Sequence, residues 1–431
     1  MNAMQKSLSR RRFLKVAAAA AAGPYVLARS AMGQVAGTSQ PTPPSDKIGL
    51  GILGCGRSGQ QWLSVLSYAP YVSKVQVQAI CDVDARSIKT ALPLTERAFK
   101  GCPTTKDFRE VIANSKIDAV MICTPDHWHA VMAAEAIRAG KDVYCESPLS
   151  LTVREARAMA NLARRYGRVF QNATLFRSYP AYTAGYALLH AKRLGEIKTV
   201  HVQAGGPSRP CSLPGEPVPE GLDWDLWLGP APTAPYNNQR CTGSPAGSYN
   251  WRSWRDYSGG SMTGYGVTFI DTAQWALGLD DTGPVEIVPP SGKDHPALTW
   301  QYANGVTIIN GTGPKAATIE ITGSAGVMGL GMSRVGCQTW PAELAANPPA
   351  ESGLRYRPGD HFLDFVECIK SRGRPMSDVA AACRSVTACH LANIAVWLNR
   401  PLKWDPVKEE IVGDAEASRW LDRPRRAPWR V

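Results

Sequence analysis

Residues 48–52 (IGLGI) form a short, wholly apolar run. The stretch behind them, QQWLSVLSYA, spaces its apolar residues three and four apart. The first pattern predicts a buried strand and the second a helix packed on it. The chain then repeats this alternation. VQVQAICD, IDAVMICTP and KDVYCESP read as apolar strands, and helical segments follow the last two, from about His129 to Ala139 and over TVREARAMANLARRYG. Strands and helices alternating at this spacing predict a parallel sheet with helices on both faces, an α/β fold of the Rossmann type. Further along, 197–203, 297–309 and 315–322 alternate apolar and polar positions, which predicts strands with one covered face. The chain has 431 residues, too many for one core, and divides on this reading into 1–45, a Rossmann domain over 46–170 and a second domain over 171–431.

Between the first strand and its helix lies Gly54-Cys55-Gly56-Arg57-Ser58-Gly59. A GxGxxG run is informative only in the setting found here, with a strand before it, a helix after it and a second strand ending in an acid, Asp82. The glycines let backbone approach a pyrophosphate, and the helix N-terminus supplies partial positive charge. Asp82 is placed to accept hydrogen bonds from an adenosine ribose, which favours NAD over NADP. Arg57 and Arg86 lie close in sequence and keep NADP open. Ligands of such sheets collect at the carboxyl ends of the strands. These ends carry Gly54, Asp82, the run Thr124-Pro125-Asp126-His127-Trp128-His129, and Cys145-Glu146-Ser147-Pro148. The cofactor-contacting residues expected from them are Gly54, Gly56, Arg57, Ser58, Gly59, Asp82, Thr124, Pro125, His127, Trp128, Glu146, Ser147 and Pro148.

The formal net charge of +12 changes the picture less than it first suggests. Lys6, Arg10, Arg11, Arg12, Lys15 and Arg29 stand in a leader without acids, where the arginine cluster followed by Phe13-Leu14-Lys15 and an alanine-rich run has the form of a twin-arginine export signal. That run is too short and weakly apolar for a stable membrane anchor. No basic stretch interleaved with aromatics points to nucleic acid. The eleven cysteines show no CxxC pair and no metal spacing, so no metal is expected. Cys211 and Cys241, in loop-like sequence, form the pair an exported chain would most readily bridge.

The segments TPDHWHA and GKDVYCESPLS together resemble the Gfo/Idh/MocA family, named for glucose-fructose oxidoreductase and inositol dehydrogenase. GLDWDLWLGPAP, DYSGGSMT, IDTAQWALGLD, GDHFLDFVECIKSRGRPMSD and CHLANIAVWLNRPLKWDP extend the resemblance to the end of the chain. It implies a dehydrogenase of two domains, the second an α+β domain whose open, mostly antiparallel sheet covers the nicotinamide, a carbohydrate substrate, and a homo-oligomer. It also implies a Glu-Lys-Pro strand end and a Gly-x-His-x-x-Asp segment whose Lys and His handle protons. Here these read Glu146-Ser147-Pro148 and Gly266-Val267-Thr268-Phe269-Ile270-Asp271, so both proton carriers are replaced.

A hydroxyl without a partner to receive its proton is no base, and loss of a general base typically costs about 10²- to 10⁴-fold in rate. The expected substitutes are His127, His129 or Tyr265, with packing roles as the alternative for each. Arg177, Tyr182, Trp254, Thr268 and Asp271 are the expected substrate contacts; Asp271 reads equally as the N-cap of a helix over TAQWAL. Trp224, Trp227, Trp251, Trp254 and Tyr257, with Arg252 and Arg255, suit stacking on sugars, or clamp a loop in place.

An exported enzyme cannot draw on free dinucleotide, so its cofactor would travel tightly bound and be regenerated in each cycle. Three readings follow: an exported NAD(P)-dependent sugar oxidoreductase, a cofactor- or sugar-binding protein without catalysis, and a redox-neutral enzyme that cleaves glycosides by transient oxidation.

Overall fold

The structure, a computed structural model, describes residues 47–241, 250–331, 336–347 and 360–431. The expected leader and linker over 1–45 lie outside these residues.

The first half is built from β1 (Ile48–Leu53), α1 (Arg57–Leu66), β2 (Val75–Cys81), α2 (Ala85–Glu96), β3 (Thr104–Thr105), α3 (Phe108–Ala113), β4 (Ala119–Ile122), α4 (Asp126–Arg138), β5 (Asp142–Cys145), α5 (Val153–Tyr166) and β6 (Phe170–Asn172). Its six strands are all parallel, in the order β3-β2-β1-β4-β5-β6. Helices cover both faces, so every residue of β1, β4 and β5 is buried, as the near-continuous apolar runs require. The polar exception, Asp142 in β5, accepts from the Arg372 guanidinium at 2.7 Å. Asp84 caps α2, and Thr152 caps α5 with Glu155 three residues on, both acceptors that orphan helix N–H groups need. The strand order turns at β1/β4 and opens a crevice over the carboxyl ends there.

The second half carries α6 (Pro180–His190), the short α7 (Trp224–Leu228) and a nine-stranded mixed sheet. Its strands are β7 (Ile197–Val202), β8 (Glu286–Val288), β9 (Thr299–Gln301), β10 (Thr307–Asn310), β11 (Ile319–Gly323), β12 (Gly326–Leu330), β13 (Cys337–Trp340), β14 (Leu402–Asp405) and β15 (Glu410–Ile411), ordered β13-β12-β11-β7-β10-β9-β8-β14-β15. Only β7 and β10 pair in parallel. One face turns Val200, Val202, Ile308 and Trp300 onto the helices, and the Trp300 indole donates to the Ala388 carbonyl at 2.9 Å. Ala388 lies on α10 (Val379–Leu398), which packs against both α5 and α8 (Gly266–Ala276). This helix is long and apolar enough to cross a membrane, but its buried position inside the core accounts for that composition.

Three local readings are corrected. The run 297–309 is a hairpin, β9 and β10, because Asn304-Gly305 turns the chain with Gly305 at φ +86°. The strand expected from 315 begins at Ile319. The helix expected from His129 begins at Asp126, behind Pro125. In addition α9 (His361–Ser371), far along the chain, returns to the first sheet, where Phe362 and Phe365 pack on Tyr144. All eleven cysteines are free, Cys211 and Cys241 included.

Candidate active site

Three glycines of the first turn do different work. Gly54 has φ +94°, and a Cβ there would stand 2.8 Å from the Cys123 carbonyl carbon. At Gly59 a Cβ would lie 2.0 Å from the Gly54 carbonyl oxygen, so its absence lets α1 close on the turn. Gly56 has ordinary backbone angles, and a Cβ there would meet nothing within 4 Å. It caps α1 without a side-chain acceptor and borders the open cleft, as do Arg57 and Ser58. The α1 N-terminus therefore offers N–H groups and partial positive charge to an anion.

Asp82 closes the other side of this turn. Its Oδ2 accepts from the Cys55 N–H at 2.6 Å and its Oδ1 from the Asp84 N–H at 2.9 Å. Burial pushes the carboxyl up to about 6, against the pull of these N–H groups. Arg86 makes two hydrogen bonds to Asp84, at 2.9 and 2.7 Å.

From this end the cleft runs past β1 and β4 to β5, lined by Thr124, Pro125, Asp126 and Trp128, then Glu146 and Ser147. Gly59, His127 and Pro148, also expected to contact the cofactor, are not among the residues that line it. Its roof comes from the second half of the chain through Leu222, Leu226, Trp227, Trp251 and Arg252. The roof is pinned over the Asp82 end by the Ala85 N–H to the Gly221 carbonyl at 2.8 Å, the Asp223 N–H to the Val83 carbonyl at 2.9 Å, and Lys106 to Asp223 at 3.2 Å. Trp227 serves as a clamp: its carbonyl accepts from the Trp128 indole at 3.1 Å and lies 3.0 Å from His127 Nε2, while its ring stacks on Trp224.

The expected proton carriers are not in this cleft. His127 is buried between the Trp227 and Tyr257 rings, and desolvation holds its pKa down to about 4. His129 has Nδ1 2.8 Å from the Pro148 carbonyl and Nε2 2.9 Å from that of Thr124; burial lowers its pKa, and the neutral ring donates its one N–H to one of these carbonyls between two strand ends. Tyr265 is 67% exposed at the start of α8, under the Arg252 guanidinium. Among the expected substrate contacts, Arg177 and Asp271 hold each other in a fully buried pair with two bonds of 2.7 Å; Arg177 also holds Asp280, and Ser385 donates to Asp271. Asp271 lies well inside α8 and caps nothing. Tyr182 is buried against Phe176, with ring centroids 4.3 Å apart. The Trp254 indole donates to the Gln239 carbonyl under Arg209, and Thr268 sits half-buried on α8; neither lines the cleft.

Sequence reasoning named Thr124 and Glu146 but passed over Asp126, which lines the same cleft. Asp126, in the strand-end run that drew attention to its histidine neighbours, accepts from the Ser258 hydroxyl through Oδ2 at 2.7 Å, while its Oδ1 and the nearby Thr124 Oγ1 are buried without a partner. Such orphan groups cost about 1–3 kcal/mol each unless a ligand meets them. They lie at the β4 and β5 end, where a dinucleotide bound with its adenosine at Asp82 would put its nicotinamide half. With a backbone cradle for a pyrophosphate and an acid for a ribose, the residues present fit that group. Burial raises Asp126 to about 7 against the opposing effect of Arg252, and it raises Glu146, whose Oε1 accepts from the Trp62 indole at 2.6 Å.

A doubly covered parallel sheet with a glycine cradle, its cleft roofed by the 222–252 segment that precedes β8, defines a dinucleotide-binding fold. The chain belongs to the Gfo/Idh/MocA oxidoreductase family: residues 48–174 match its "NAD-binding Rossmann fold" and 208–431 its "C-terminal alpha/beta domain". A glycosyl hydrolase family 109 protein of Shewanella baltica is 32% identical over 176 residues, and an alpha-N-acetylgalactosaminidase of Shewanella oneidensis 33% over the same length. Each match spans 37% of this chain and 38% of the relative. The WlbA dehydrogenase of Bordetella pertussis, solved with NADH and UDP-GlcNAcA, shares the fold with a TM-score of 0.58 at 17% identity, over 84% of this chain and 98% of that one.

Proposed function

We propose that the chain is an NAD-dependent oxidoreductase acting on a sugar or sugar derivative. The observation that carries this reading is the cleft itself, with Gly56 and the α1 N-terminus at a pyrophosphate position, Asp82 at a ribose, and the aromatic and arginine roof of Trp251 and Arg252 opposite Ser147. When bound, the cofactor supplies a hydride acceptor. The chain's own residues orient the dinucleotide through Asp82 and the glycine turn, exclude water with Leu222, Leu226 and Trp227, and stack and charge-pair a carbohydrate with Trp251 and Arg252. Neither Ser147 nor Thr268 replaces the family's lysine or histidine as a base.

The leader supports export by the twin-arginine route, and the pinned roof over the Asp82 end supports a cofactor that stays bound. Both favour a redox-neutral cycle. The names of the relatives, which match over 37% of the chain, support a more specific form of it, cleavage of a glycoside by transient oxidation. The test is to purify the protein from its exported fraction and add N-acetylhexosaminides, hexoses and hexuronates. The expected result is bound NAD that reports on at least one sugar through the near-ultraviolet absorbance of reduced nicotinamide. Release of the aglycone without net reduction selects the glycoside reading, and a silent cofactor across all three classes would make the chain a binding protein.

NAD is the expected cofactor because the Asp82 and Asp84 carboxylates line the cleft at the end proposed for the ribose, where they would repel a 2′-phosphate, and Arg86 is bound to Asp84. NADP should bind at least about 10-fold more weakly, a difference of about 1.4 kcal/mol. The double replacement Asp82→Ser with Asp84→Ser removes both carboxylates, frees Arg86 and should reverse the order. Titration of each variant with both dinucleotides measures it.

A further inference from the structure

With the histidines tied to carbonyls, two carboxyls line the cleft beside Ser147, and they are held differently. Glu146 is anchored to Trp62. Asp126 begins α4 at the carboxyl end of β4, between the adenosine side of the sheet and β5. The Ser258 hydroxyl fixes one of its oxygens, the Gly259 backbone N–H adds to the hold on the carboxyl, and Oδ1 is buried with no hydrogen-bond partner. We propose that Asp126 is the proton acceptor of the reaction, filling the role that the replaced lysine and histidine leave open.

This rests on the reading that the cleft holds a nicotinamide dinucleotide. As the substrate carbon loses its hydrogen with the bonding pair to the cofactor, the hydroxyl proton passes to Asp126. A C–H and an O–H bond break and a C=O bond forms; the substrate is oxidised by two electrons, NAD is reduced, and Asp126 ends as the neutral acid. Return of the same proton and hydride closes a redox-neutral cycle. The groups acting on Asp126 are Arg252 from the roof, the Ser258 hydroxyl, the Gly259 backbone N–H and Cys145 at the β5 end, with His127 next to it on its own helix. Arg252 favours the carboxylate and burial opposes it, which leaves the group titrating near neutrality, where a general base works best.

The test needs no substrate. The oxidised nicotinamide is positively charged and favours the carboxylate, whereas the reduced ring is neutral. NAD⁺ affinity should therefore fall about 3- to 10-fold more than NADH affinity as pH drops through neutrality, a slope in their ratio since titration of Asp82 acts on both forms alike, with both titrated through quenching of cleft tryptophan fluorescence. Asp126→Asn keeps an acceptor for Ser258 and should bind both forms with no such slope. Asp126→Glu should restore part of the slope, and Glu146→Gln should leave it in place. A wild-type slope surviving in Asp126→Asn, or no slope in the wild type, overturns the assignment of Asp126 while leaving the cofactor reading intact. Failure of every form to bind either dinucleotide overturns both.

Discussion

Gly56→Ala should leave a protein that folds normally and no longer holds its cofactor. A methyl at this position meets no atom of the chain within 4 Å, and the backbone angles, φ −67° and ψ −163°, suit alanine. Loss of glycine from an N-cap changes stability by about 1 kcal/mol or less. The same methyl would project into the space where a pyrophosphate must come within hydrogen-bonding distance of the α1 N–H groups. Affinity for NAD should fall by about 100-fold, or about 2.7 kcal/mol. Gly59→Ala is the contrasting case: its Cβ would stand 2.0 Å from the Gly54 carbonyl oxygen, so turn and helix must separate. That overpacking should cost about 1–3 kcal/mol of stability together with binding. Denaturant midpoints and calorimetric titration of the two variants separate cradle from scaffold, and equal loss of stability in both would contradict this division.

Arg177→Met should be the most destabilising single change considered. The guanidinium is 2% exposed and joins α8 to the segment after β6 by holding Asp271, itself 1% exposed, and Asp280 at once. Methionine fills much of the volume but leaves the Asp271 carboxylate in the core with only Ser385 as a donor, and breaking a buried pair in this way costs about 3–5 kcal/mol. Removing both charges, Arg177→Met with Asp271→Leu, should recover a large part of that loss, because paired desolvation costs disappear together. Urea denaturation of the single and double variants measures the coupling. NAD affinity, measured below the transition, should be nearly unchanged in the double variant if the pair is structural.

The contrast between these two sites shows what can be read along the chain. The Rossmann half was legible because its signals are local. Wholly apolar strands, a glycine run between strand and helix, and Asp82 at the next strand end each lie within one βα unit, and the parallel order follows from their alternation. The second sheet was visible as alternation, but the turn at Asn304-Gly305 and the late start of β11 were not separable from it. The roof was not legible as a roof. Leu222, Trp227 and Arg252 reach the cleft only because the chain crosses back over β2 and β4, and no periodicity encodes that crossing. Arg177 and Asp271, 94 residues apart, have the composition of a ligand pocket and the placement of a core ion pair. Asp126 could have been found: it stands at a strand end where ligands collect, yet the histidines on either side of Trp128 attracted the chemistry because their ordinary pKa suits it. Burial then removed that advantage from His127 and conferred it on Asp126.

The most direct test of the whole account is the nucleotide content of the folded protein. Denaturing purified material and identifying what is released by mass spectrometry, then titrating the emptied protein with NAD, should yield NAD as the released species and saturable rebinding that Gly56→Ala abolishes. Protein that releases no dinucleotide and binds neither NAD nor NADP would contradict the central claim that the glycine turn and Asp82 form a cofactor site.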